Sequence, residues 1–138
     1  SCSEYYSGIP KYEIRSAYSS DGTHFLDEGI RIEIYPYDSL SPVKLAGHGK
    51  FFVNSSEGIT GIFSGNPKNT NDPSDLYITT STDGLHFSNF INKYADYHDP
   101  AIVKKDGQYI LYARHLKDKF GKAVSADGIH WPEQLDSV

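Results

Sequence analysis

The chain has 138 residues and a formal net charge of -5, with 13 basic residues that are scattered apart from Lys104-Lys105. That balance excludes nucleic acid as a partner, because neutralising phosphates takes clustered Lys and Arg. No apolar run approaches the ~20 residues that span a bilayer, so no membrane span and no signal peptide are expected.

The predicted elements are short strands joined by turns. Residues 12–18 alternate in polarity and lead into Ser19-Ser20-Asp21-Gly22-Thr23-His24-Phe25. Residues 76–80 alternate and lead into Ser81-Thr82-Asp83-Gly84-Leu85-His86-Phe87. Residues 121–125 lead into Ser125-Ala126-Asp127-Gly128-Ile129-His130-Trp131. Period-two alternation marks strands. Asp-Gly is a turn, since Asp bonds its own backbone two residues on and Gly accepts a positive φ. The aromatic that follows is expected to start the next strand. Three copies of one phrase mean a repeated supersecondary unit. His24, His86 and His130 belong to that phrase and read as scaffold.

Between the phrases, residues 48–53 and 98–103 read as equivalent first strands, each followed by a Gly-containing turn and a second apolar strand, 59–63 or 109–113. On that reading His48 matches His98, and Gly49 matches Asp99. Residues 66–73 form a longer loop than 116–120, and residues 4–8 match the second strand at 61–65. The units therefore hold three, four and four strands. The boundaries fall at 4–40, 41–92 and 93–138, with a short last strand. Cys2, alone, makes no intrachain disulfide; a frayed end, a cloning remnant and a lipid-attachment site are its readings. The absence of Met marks a processed or truncated N-terminus.

Tandem four-stranded antiparallel units of this size indicate an all-β fold, a partial β-propeller whose first blade lacks one strand. Its ring is expected to be completed by oligomerisation, as a homodimer, or by a longer parent chain. The run from His98-Asp99-Pro100 through Asp106-Gly107-Gln108-Tyr109 to Tyr112, then Ser125 to Trp131, resembles a blade of the five-bladed propeller glycoside hydrolases. That group includes arabinofuranosidases, xylosidases, invertases and mannoside phosphorylases. In the invertase-like members Arg precedes this Asp; here His98 does.

The resemblance implies a glycan or oligosaccharide partner and a catalytic, channel-facing Asp99. Its alternative is a carboxylate that caps a turn before Pro100. His98, His48, Tyr97 and Tyr94 are the expected substrate-binding residues. Tyr5, Tyr6, Tyr35 and Tyr37 are further stacking candidates. No cofactor is expected, save that some arabinanase-like members hold a cation near a His, a role open to His98 and His48; half-exposed histidines at strand starts are the other reading. Glycoside hydrolysis needs two carboxyl groups, and the second is not evident: Glu57 sits in a predicted turn, Glu28 in a connector, and Asp96, which could neighbour Asp99, reads as solvent-facing. A noncatalytic carbohydrate-binding or structural oligomer-forming module is therefore the alternative function. The family favours a secreted or periplasmic setting.

Overall fold

The computed structural model describes residues 3–6, 9–34, 45–66 and 75–138. Cys2, Tyr35, Tyr37, most of the 66–73 loop and the side chains of Tyr5 and Tyr6 lie outside the described part. Among the described residues the fold is all β. The strands are β1 (Ser3–Tyr6), β2 (Ile9–Tyr18), β3 (Leu26–Ile34), β4 (Leu45–Val53), β5 (Ile59–Asn66), β6 (Asp75–Ser81), β7 (Ser88–Ala95), β8 (Tyr97–Lys105), β9 (Gln108–His115), β10 (Phe120–Ser125) and β11 (Asp136–Ser137). They form three antiparallel sheets, ordered β1-β2-β3, β4-β5-β6-β7 and β8-β9-β10-β11.

The repeated phrase makes the same corner each time. In the second copy Asp83 Oδ1 accepts the backbone N–H groups of Leu85 and His86, at 2.8 and 2.9 Å, and Oδ2 meets His86 Nδ1 at 2.7 Å. Ser81 Oγ accepts the Gly84 N–H and donates to Asp83. The first and third copies repeat these bonds. Gly84 takes φ 72°, a conformation that a side chain resists. Phe25 and Phe87, expected to start the next strands, each stand one residue before β3 and β7. Trp131 differs: it is buried, its indole N–H donates to Gly128 O, and β11 begins only at Asp136. Pro132, which has no N–H to offer a ladder, follows it.

The sheets stack face to face. Ile62, Leu76, Ile78 and Tyr94 of the second sheet pack on Tyr109, Leu111, Ala113 and Ala123 of the third, with Trp131 at the margin. On its other face the second sheet brings Phe63 and Tyr77 against Ile32 and Ile14 of the first. β5 and β6 are consequently buried almost throughout. Full burial of each Ile, Leu or Phe contributes roughly 1.5–3 kcal/mol, and the middle sheet is the one that takes part in both apolar clusters. β9 instead alternates. Its inward residues reach the core, while Ile110 and Tyr112 join Val103, Phe120 and Val124 on an open face.

Strand register aligns the repeats differently from the sequence pattern. Ser81 pairs with Ile59, which pairs with Val53; Ser125 pairs with Tyr109, which pairs with Lys104. Lys104 thus holds the position of Val53. Counting back, Asp99 holds the position of His48, not of Gly49, and Pro100 holds that of Gly49. The residue between is absorbed by the turns: β4 and β5 are joined by residues 54–58, β8 and β9 by Asp106-Gly107 alone. Both first strands, β4 and β8, are bulged nearby, between Ala46 and Gly49 and between His98 and Ala101.

Candidate functional site

The bulge in β8 sets the site. It leaves Asp99 out of the ladder at φ 52°, the left-handed region that Asp tolerates better than most residues. Its freed N–H donates to Ser64 Oγ at 3.0 Å, reaching back to β5 of the preceding sheet. Ser64 is fully buried, so this bond ties the bulge to the core.

The Asp99 carboxylate joins two imidazoles. Oδ2 meets His98 Nδ1 at 2.9 Å, and Oδ1 meets His48 Nδ1 at 3.2 Å across the gap between sheets. The structure therefore brings together three of the expected residues, Asp99, His98 and His48. His48 is 89% exposed and the Asp99 side chain 48%, whereas His98 is 19% exposed. Engaging Nδ1 leaves each Nε2 as the ring nitrogen available to an outside group. Arg114, paired in register with His98, donates to Asp118. Asp118, with a smaller contribution from the charge of Asp99, raises the Arg114 guanidinium above its ordinary value. Arg114 in turn lowers the Asp118 carboxyl.

A cleft of about 520 Å³ opens beside His48, lined by Glu13, Ile14 and Arg15 of β2 and by Gly47, His48, Gly49 and Phe51 of β4. Glu13 is a buried carboxylate that accepts from Arg15 at 3.1 Å. Arg15 also binds Asp27, whose carboxyl it holds below the usual range. Gly49 fits closely, because a Cβ there would stand 2.8 Å from Phe63 Cβ.

The two expected tyrosines go elsewhere. Tyr94 and Tyr97 line a separate cleft of about 280 Å³ against residues 133–135. Tyr94 is buried and its hydroxyl donates to Pro132 O. Burial first, then the charge of Glu133, pushes its hydroxyl pKa well up. Tyr97 packs edge-on against His115, with centroids 4.8 Å apart. Among the other carboxylates weighed, Glu57 and Asp96 occupy left-handed turn positions and Glu28 accepts from Ser16.

Sequence reading passed over Ser64, Glu13, Arg15 and Arg114. Ser64 matters through Asp99 and Arg15 through Asp27, each on another strand, which no local pattern reports, whereas Glu13 is engaged by Arg15 on its own strand and Arg114 by Asp118 in the turn that follows. For Glu13 the signal present was a carboxylate inside an otherwise alternating strand.

Among the described residues, no group of three or more His, Cys, Asp or Glu side chains is arranged to hold a metal ion. Among them, too, no helix is long and apolar enough to cross a membrane. No protein-family model matches the chain, and no curated protein matches it significantly.

Proposed function

We propose that the three sheets are consecutive blades of a β-propeller and that the chain recognises glycans at the His48–Asp99–His98 cluster, as a relative of the five-bladed propeller glycoside hydrolases. The observation that carries this reading is Asp99 itself. It stands at a bulge on the first strand of one sheet and bonds a histidine at the matching position of the sheet before. A carboxylate flanked by imidazoles offers acceptors and donors to sugar hydroxyls, and a carboxylate beside water can act as general base. Hydrolysis requires a second carboxyl group. Glu13, across the cleft that His48 lines, is the residue to fill that role.

A noncatalytic, binding-only module is the second reading. One observation favours it: both Asp99 oxygens are occupied by ring nitrogens, and Glu13 is engaged by Arg15. In either case the open face of the third sheet takes up another sheet, from a second copy or from further chain.

Glycan-array binding run alongside turnover of aryl furanosides and pyranosides tests both readings, with Asp99→Asn as control. Binding and turnover that both fall in the variant support a hydrolase. Binding without turnover supports the module. Absence of both rejects the proposal.

A further inference from the structure

A third cleft, of about 400 Å³, runs between β4 and β8 beyond the Asp99 cluster, and Lys50, Phe52, Ile102, Lys104 and Tyr109 line it. The two lysines reach it from opposite sides. Lys50 pairs with Ile62 and Lys104 with Tyr109, and Ile62 and Tyr109 face each other in the core between the second and third sheets. The floor is aromatic: the Phe52 and Tyr109 rings lie 5.3 Å apart, tilted by 34°. Lys104 Nζ stands 4.8 Å from the Tyr109 ring centre, and the Tyr109 hydroxyl closes one end by donating to Val53 O.

This groove has an uncompensated charge. No carboxylate lines it, and among the described residues neither lysine has an ion-pair partner. Two ammonium groups in one cleft of a chain with net charge -5 repel each other and attract an anion. An aromatic floor beside them suits the C–H faces of a sugar ring better than a bare inorganic ion. Along the strands, Lys50 stands two residues past His48 and Lys104 five past Asp99. At about 3.3 Å per residue those steps are ~7 and ~16 Å, so one oligosaccharide can lie along both features.

Building on the glycan reading above, we infer that the ligand is an acidic oligosaccharide whose carboxylates bind Lys50 and Lys104 while a neighbouring sugar meets Asp99. Calorimetric titration of the 138-residue chain with oligogalacturonate, and with neutral xylo- and arabino-oligosaccharides of the same length, tests it. The acidic ligand is expected to bind on the order of tenfold more tightly, from two partly exposed ion pairs. Its advantage shrinks in about 0.5 M salt, where charges are screened within a few ångströms. Lys50→Gln with Lys104→Gln removes the advantage and leaves neutral binding, and the Lys→Arg pair restores it. Near-ultraviolet circular dichroism confirms that each variant is folded. Equal affinity for acidic and neutral ligands, or an advantage that survives the Gln pair, overturns the inference while Asp99-dependent neutral binding preserves the glycan reading. Failure of every oligosaccharide to bind overturns both. Sulfate that displaces oligogalacturonate at matched charge concentration reduces the groove to a plain anion site and overturns the inference alone.

Discussion

His48 and Asp99 occupy matching positions on the first strands of neighbouring sheets, and their side chains meet at 3.2 Å. The repeat has diverged at this position into a complementary pair. A base on one sheet faces an acid on the next, and the contact joins the two sheets at their first strands.

Asp99 is held in a left-handed conformation, which separates its chemistry from its backbone role. Asp99→Asn keeps a residue that tolerates this φ, so the fold is expected to persist while ligand binding weakens. Asp99→Val places a β-branched residue there and is expected to lower stability by about 1–2 kcal/mol. Urea unfolding of both variants, beside glycan titration, checks the split. Equal destabilisation by Asn and Val would mean that the carboxylate is structural.

Gly49 is expected to resist substitution for a steric reason. A new Cβ would press on the buried Phe63 Cβ at 2.8 Å, an atom that no rotamer change can withdraw. Gly49→Ala is expected to cost about 1–3 kcal/mol, in the range of overpacked cores. Gly49→Asp therefore damages the fold rather than adding a second carboxylate. Chemical denaturation reads out the loss.

The three corners predict a response to acid. Asp21, Asp83 and Asp127 are held below the ordinary carboxylate value of 3.8. For Asp21 the His24 N–H is the first cause, and for Asp83 and Asp127 the paired histidine ring is. A carboxyl with a depressed folded pKa stabilises the fold fully above the unfolded value. That contribution is lost as pH falls below 3.8 toward the folded values. Thermal unfolding should be flat in this respect from pH 7 to about 5 and decline below about 4. A triple Asp→Asn variant should lose part of that decline. An unchanged slope would place the acid sensitivity elsewhere.

Alkali reveals the middle sheet. Burial, followed by the charge of Asp75, pushes the Tyr77 hydroxyl up to about 12 from an ordinary 10.0. A raised tyrosine pKa favours the neutral form in the fold. Its stabilisation is present below pH 10 and drains away between 10 and 12. Ultraviolet titration should show a late-ionising class of tyrosine that disappears in urea, and Tyr77→Phe should reduce it.

The open face of the third sheet predicts association. Val103 is 47% exposed and Phe120 55%, on a face whose counterpart in the second sheet is covered. In sedimentation the 138-residue polypeptide should run above monomer mass, and Val103→Glu with Phe120→Glu should return it to monomer. A monomer at the outset would remove self-association from the proposal.

Much of the architecture could be read from local chemistry. Asp-Gly corners and alternating strands are short-range features, and 12–18, 76–80 and 121–125 all fall within strands of the structure. Register was less accessible. Matching glycine-containing turns puts His98 opposite His48, because it does not register that residues 54–58 span a longer connection than Asp106-Gly107. Asp99 stood out through its Asp-Pro setting. Ser64, Glu13 and Lys104 did not, since their significance comes from strands far away in sequence. Tyr94 attracted notice by proximity along the chain, but alternation turns it into the core.

The near-identity of the three corners has a consequence for assembly. Each is closed by its own few residues, so each hairpin that carries a corner can form without reference to the rest, and the buried Trp131 marks the third corner out from the other two. Discrimination between legitimate and exchanged hairpins falls to the contacts between sheets. There a bulge, a buried serine, one acid–base handshake and the bonds of Tyr94 to Pro132 and of Tyr109 to Val53 act as address labels among otherwise similar parts.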